Sequence, residues 1–173
     1  TPSTVGSPAF SADSRWLVFL ANRYTIWARD LWQDTNAVAV VSLDPTFDSL
    51  NSPSVSAGGK LITYENQSRG PVLYYKRQVM VYDQAAGTTT LITSNRAGTG
   101  TGNEVSTSPL LTPDGQFIVF TSRADDLVFG DWGRPWGLAS ASDVFVHDRL
   151  RGITLLVSAN PQGIAGTNAS SKP

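Results

Sequence analysis

The sequence predicts an all-β chain, and three observations carry that expectation. Its apolar residues fall in runs too short for helices. The residues between the runs are turn formers. The pattern of runs and turns recurs three times. The runs occupy 16–20, 37–41, 60–64, 78–82, 88–93, 116–121, 143–147 and 153–157, each 5 or 6 residues long, which is the usual length of a strand. Asp outnumbers Glu 12 to 2, Arg outnumbers Lys 10 to 3, and Ser and Thr together number 36 beside 15 Gly and 10 Pro. Glu and Lys are the usual fillers of exposed helix faces. Asp, Ser, Gly and Pro instead make turns, through side-chain bonds to the backbone, positive φ or fixed φ. No amphipathic helix is evident; 29–34 carries Leu31 and Trp32 but aligns with a strand of the repeat.

The first half of each repeat is Ser-Pro, a short apolar strand, a turn pair, and a strand ending in an aromatic residue. Ser7-Pro8-Ala9-Phe10 runs through Asp13-Ser14 to Phe19. Ser52-Pro53-Ser54-Val55 runs through Gly58-Gly59 to Tyr64, and Ser108-Pro109-Leu110-Leu111 through Asp114-Gly115 to Phe120. The three turn pairs suit hairpins. In the second half, Gln78-Val79-Met80-Val81-Tyr82-Asp83 matches Asp143-Val144-Phe145-Val146-His147-Asp148, with Gly87 and Gly152 at the same place in the following turn. The first repeat departs from this. Asp30-Leu31-Trp32-Gln33-Asp34 is one residue short, and Thr35-Asn36 supplies no glycine. Successive Ser-Pro prolines lie 45 and 56 residues apart, and a weaker marker, Ser171-Lys172-Pro173, follows 64 residues after Pro109.

Four short antiparallel strands in a repeat of this length are the mark of a β-propeller blade. Blades stack face to face, so their inner strands are covered on both sides and read as continuous apolar runs. Trp16-Leu17-Val18-Phe19 and Phe117-Ile118-Val119-Phe120 read that way; the strands of a β-sandwich would alternate more and need not repeat. The expectation is three blades, approximately 5–48, 49–104 and 105–170, half of a six-bladed ring.

These motifs, with D-V-[FY]-V-x-D and G-x-[TS]-x-x-[VL]-[ST], resemble the WD40-like (PD40) repeats of TolB-like propellers, above all the exported bacterial ones. The resemblance covers most of the chain and is strongest in the third repeat. It implies a fold and a periplasmic or extracellular, cell-surface location in bacteria. It leaves function open, because such propellers serve as binding scaffolds, periplasmic partners and gating domains of enzymes.

Three blades leave two sheet faces open, more contiguous apolar surface than a soluble monomer usually shows. The expected partner is therefore another copy of the chain, joined head-to-tail, or the remaining blades of a longer propeller. The chain's limits fall near repeat boundaries, in keeping with either.

Three loops are candidates for contact. The segment 127–142 holds Trp132, Arg134 and Trp136 in a long stretch between strands, which favours function. Two Trp around an Arg can stack on a sugar, clamp a peptide, meet a neighbouring subunit or plug their own blade. The segment 22–30 holds Tyr24 and Trp27 with two arginines, a composition typical of interface anchors but equally of a covered blade edge. The segment 67–77 is basic and aromatic, and reads as a solvated edge. The Gly/Thr/Ser/Asn-rich connections 95–107 and 160–171 read as ordered turns; no G-x-x-x-x-G-K-[ST] occurs and no helix follows to bind phosphate.

Charge and composition narrow the rest. A net charge of −1 with 16% charged residues argues against a nucleic-acid binder. No run of 18 apolar residues or basic-then-apolar leader occurs in this sequence, so no membrane insertion is expected from it. Without cysteine there is no thiolate site, and the single His147 aligns with Tyr82 and Gln33 as a variable structural position. No G-x-S-x-G elbow is present. Asp125, Asp126 and Asp131 lie close in sequence, but without a calcium-loop spacing they read as turn caps. No catalytic residue, metal or cofactor is assigned. The expected function is a non-catalytic scaffold that binds a protein partner, with Trp132, Arg134, Trp136, Tyr24 and Trp27 as contacts. The alternatives are a carbohydrate or cell-wall binder and a fragment of an enzyme whose catalytic residues lie elsewhere.

Overall fold

Twelve strands in three four-stranded antiparallel sheets account for the runs. They are seen in a computed structural model that describes residues 6–41, 49–69, 75–129, 131 and 142–159. Blade 1 contains β1 (Gly6–Phe10), β2 (Trp16–Asn22), β3 (Thr25–Asp30) and β4 (Thr35–Val41). Blade 2 contains β5 (Ser49–Val55), β6 (Leu61–Arg69), β7 (Tyr75–Asp83) and β8 (Thr88–Leu91). Blade 3 contains β9 (Ser106–Leu111), β10 (Phe117–Ser122), β11 (Asp143–Asp148) and β12 (Ile153–Leu156). Within each blade every strand pairs with the next in sequence, as a propeller blade requires. No helix among the described residues is long and apolar enough to cross a membrane.

The first hairpin of every blade is closed by one hydroxyl. Ser11 Oγ accepts the Trp16 amide at 2.9 Å, Ser56 Oγ the Leu61 amide at 3.1 Å, and Thr112 Oγ1 the Phe117 amide at 3.0 Å. In blades 1 and 3 an aspartate completes the turn: Ser11 donates to Asp13, and Thr112 Oγ1 donates to Asp114 at 2.5 Å. The serine hydroxyl, then the Gly58 amide, hold the Asp13 carboxyl below its usual range. Blade 2 substitutes Gly58, with Ala57–Gly59 as a short 3₁₀ turn.

The last hairpin of every blade is capped by the aspartate that ends its third strand. Asp30 Oδ1 accepts the amides of Trp32 and Gln33, Asp83 Oδ1 those of Ala85 and Ala86, and Asp148 Oδ1 those of Leu150 and Arg151. A left-handed residue follows in each: Asp34 at φ 54°, Gly87 at 65° and Gly152 at 67°. This corrects the sequence alignment of the first repeat. Asp30, not Asp34, corresponds to Asp83 and Asp148. The segment 22–30 is therefore not a loop but the end of β2, a tight turn and β3, and 29–34 is a strand end plus turn. The missing glycine misled the alignment because aspartate tolerates left-handed backbone.

Blade 2 shows why the strands read as continuous apolar runs. Along β6, Ile62 and Tyr64 pack into a cluster with Val18, Leu20, Ile26 and Ala28 of blade 1. Leu61 on the same strand, with Val79 and Val81 of β7, packs into a second cluster with Ile118, Phe120 and Phe145 of blade 3. Successive side chains point to opposite faces of a strand, and here both faces meet apolar neighbours. Phe120 and Phe145 stack with ring centres 5.5 Å apart and planes 13° from parallel.

Candidate functional site

The three Ser-Pro motifs meet at one place. In each blade the first strand carries one extra residue against the second. The register shifts between Gly6 and Ala9, between Asn51 and Ser54, and opposite Val119–Thr121 in blade 3. These are β-bulges, which re-aim a strand at the cost of local pairing. The serine of each bulge is left-handed: Ser7 at φ 50°, Ser52 at 45° and Ser108 at 56°. Left-handed backbone at a residue other than glycine costs about 1–3 kcal/mol and persists only where the surroundings impose it. The proline that follows fixes its own φ and gives up no ladder bond, because the bulge has already opened the pairing.

The bulges of β1, β5 and β9 line a common open funnel of about 350 Å³, walled by Ser7, Pro8, Ala9, Ser52, Pro53, Ser108, Pro109 and Leu110. Its chemistry is neutral: three hydroxyls, three prolines, an alanine and the half-exposed Leu110. Buried polar contacts hold the bulges in place. Glu65 of β6, 2% exposed, accepts the Ser108 amide on Oε1 at 2.8 Å. Its Oε2 has no hydrogen bond and faces Arg77 Nη1 at 3.5 Å. Ser54 Oγ accepts the Leu111 amide at 3.1 Å, tying β5 to β9. Beside the funnel, a second opening of about 290 Å³ is lined by Gln67, Arg77, Val105 and Thr107.

The residues singled out in the sequence lie elsewhere. Tyr24 sits in the β2–β3 turn, its amide bonded to Asn22 Oδ1 at 2.8 Å, with the Arg23 guanidinium 5.2 Å from its ring centre. Trp27 is in the middle of β3. Its neighbours Ile26 and Ala28 bury against blade 2, so Trp27 points to the opposite, open face of blade 1. It occupies the position of Met80 and Phe145, a stacking position of the sheet. Trp132, Arg134 and Trp136 fall outside the described residues. In the segment 67–77, Gln67 and Arg77 belong to the paired strands β6 and β7; residues 70–74 are outside the described residues.

The connection from blade 2 to blade 3 is an ordered turn. Asp126 Oδ1 accepts the Asn103 amide at 2.9 Å, Asp125 Oδ1 accepts from Asn103 Nδ2 at 2.6 Å, and Asn95 Oδ1 accepts the Thr99 amide at 3.0 Å. Asp131 differs from its neighbours. It is 7% exposed, its Oδ2 has no hydrogen-bond partner, and its pKa is pushed up to about 6 by burial and then by Asp143, Asp125 and Asp126. Among the described residues, no group of His, Asp and Glu is placed to hold a metal ion. His147 pairs through Nδ1 with Thr154 Oγ1 at 2.9 Å, and burial, then Arg149, lower its pKa. Its counterparts are Tyr82 and Arg29, not Gln33. The funnel escaped the sequence reading although its signal was there: the thrice-repeated Ser-Pro served as a repeat marker, and a marker at the inner strand of every blade must face the axis.

No protein-family model matches the chain, and no curated protein matches it by sequence. Solved structures do match its fold. The tricorn protease is similar over 98% of this chain and 16% of its own, at 16% identity and a TM-score of 0.59. The dipeptidyl peptidase 4 of Porphyromonas gingivalis is similar over 88% and 25%, at 12% identity and 0.59. An oligogalacturonate lyase from Vibrio parahaemolyticus is similar over 86% and 38%, at 11% identity and 0.57. These are β-propeller proteins, and this chain spans well under half the length of each.

Proposed function

We propose that this chain is an arc of a TolB-like (PD40) propeller in the bacterial periplasm or at the cell surface, and that it is a non-catalytic scaffold whose funnel receives a neutral segment of a protein partner. The observation that carries the reading is the convergence of three left-handed serines on one cavity. Three strained positions at equivalent places form a rigid rim, and strain of this kind gathers where a surface is preorganised for contact. Among the described residues the wall holds no charge and no aromatic ring, which suits an apolar or hydroxyl-bearing peptide better than a sugar that must stack.

The test places a photo-crosslinking residue at Leu110 and asks what it captures in a bacterial periplasm. A protein adduct at Leu110 that Ser52→Arg, which fills the funnel, reduces at least fivefold is expected. Capture indifferent to Ser52→Arg would end the funnel reading. Trp132 and Trp136 are kept as contacts from the sequence, and Trp132→Ala with Trp136→Ala tests them in the same assay.

A second reading has its own support. The similar structures named above are a protease, a peptidase and a lyase, which favours a propeller belonging to an enzyme with its chemistry on other residues. An intact native polypeptide several times longer than 173 residues, with hydrolase or lyase activity lost on deleting the remainder, would decide for it.

A further inference from the structure

The two joints between blades follow one rule, and the rule says what the open face of blade 3 accepts. At the first joint, the Trp16 ring of blade 1 lies on Gly59 in the turn of blade 2; a Cβ there would stand 2.5 Å from the ring. At the second, Leu61 of blade 2 lies on Gly115 of blade 3, where a Cβ would stand 2.5 Å from its Cδ1. Trp16, Leu61 and Phe117 are the same repeat position, the first residue of the second strand. Gly59 and Gly115 are likewise equivalent, both left-handed, at φ 73° and 74°. Each blade thus presents a knob, and the next receives it on a turn without a side chain. Real Cβ atoms do not approach so closely; at the first joint a side chain in place of Gly59 would press on the rigid Trp16 ring, whereas at the second the Leu61 methyl end could turn aside.

Phe117 is the third knob, and no described residue receives it as Gly59 and Gly115 receive theirs. The positions around it repeat those that bury Leu61, Val79 and Val81 against blade 3. Here they are Phe117, Val144 and Val146, each half-buried. Asp13 marks the rim of the first joint, accepting the Gly58 amide on Oδ2 at 2.8 Å. Asp114 repeats the bonds of Asp13 to its own turn.

Resting on the propeller-arc reading, we propose that the blade 3 face seats a further blade of this repeat type that carries glycine at the knob-receiving turn. Blade 1 of a second copy does not fit that seat. Its rear face, with the exposed Phe10 and the half-buried Trp27, is apolar enough, but its turn carries Ser14 at φ 57° where the other two carry glycine. With the Phe117 ring seated on that turn as the Trp16 ring is seated on Gly59, the serine Cβ would stand where a Cβ at Gly59 meets the ring, 2.5 Å away. One atom at one position thus separates a glycine-bearing blade from self-closure.

The test is self-association of the 173-residue chain by light scattering, with folding checked by circular dichroism. The parent chain is expected not to associate through Phe117. Ser14→Gly, which suits the left-handed turn, is expected to tighten head-to-tail self-association at least tenfold, and Phe117→Asp added to it to reverse the gain while the melting profile persists. A parent chain that associates and is dissociated by Phe117→Asp would overturn the proposal, as would Ser14→Gly behaving like the parent. Neither position lines the funnel, so a failed crosslinking result at Leu110 leaves this test intact, and the reverse holds.

Discussion

Among single residues, Glu65 and Asp131 are buried carboxylates with opposite settings. Glu65 accepts an amide and faces an arginine, so its charge is spent on holding the Ser108 bulge of the next blade. Asp131 has one oxygen with no partner and three aspartates nearby. Its pKa of about 6 lies above the ordinary 3.8, so between those values the folded state binds a proton that the unfolded state has released. Stability from this group is therefore present below pH 4 and falls as pH rises to 6. At neutral pH the carboxylate sits charged and poorly satisfied, and an amide of the same shape avoids that cost. Asp131→Asn is expected to melt higher than the parent at pH 7.5, with the gap closing as pH falls to 4. A gap independent of pH across that range would show that the charge of Asp131 is not what matters.

At the scale of the element, the unit of this fold is a hairpin with a side-chain cap and one left-handed residue. Glycine fills the left-handed place in the last hairpins of blades 2 and 3, and Asp34 fills it in blade 1. Asp34 also pairs with Arg29, but both side chains are exposed, and surface pairs contribute about 0–1 kcal/mol. Relief of a left-handed side chain is worth about 1 kcal/mol. Asp34→Gly is then expected to be neutral or to raise the melting temperature by a few degrees, roughly 2–4 °C per kcal/mol in a chain of this length. Gly87→Ala and Gly152→Ala are expected to lower stability by about 1 kcal/mol; denaturant titration of the three variants checks the asymmetry. The same substitution explains what was legible in the sequence. Where Gly87 and Gly152 punctuated the chain, the strands before and after them were placed within a few residues. Where Asp34 does that work, no glycine marks the end of β3, and the strand reads as a loop although Ile26 and Ala28 alternate with Trp27 as a strand should. The Ser-Pro bulges were visible as letters, but their left-handed backbone and shared cavity depend on register between strands, which no local pattern encodes.

In the molecule as a whole, the apolar core is divided into two clusters, one per joint, and blade 2 contributes to both. Stability in such stacked repeats is a sum of repeat and nearest-neighbour terms, so the middle blade holds two interface terms and each outer blade one. The outer faces show the difference. Phe10 of β1 is 64% exposed and Leu155 of β12 is 56% exposed, whereas Ile62 and Val79 of blade 2 are fully buried. Amide hydrogens exchange by local opening where few contacts must break and by global unfolding where many must. The amides of β6 and β7 should therefore be the slowest in the molecule, and those of β12 faster by roughly a hundredfold or more. Ile62→Ala, which removes about 2–5 kcal/mol of packing at the first joint, should accelerate β2 and β3 together with β6, because they share one cluster, while Phe120 and Phe145 keep β10 and β11 joined to β7 across the other. Uniform exchange over all three blades, or acceleration of β10 and β11 to the same degree as β2 and β3, would mean that the arc opens as a single unit and that the two joints are not energetically separate.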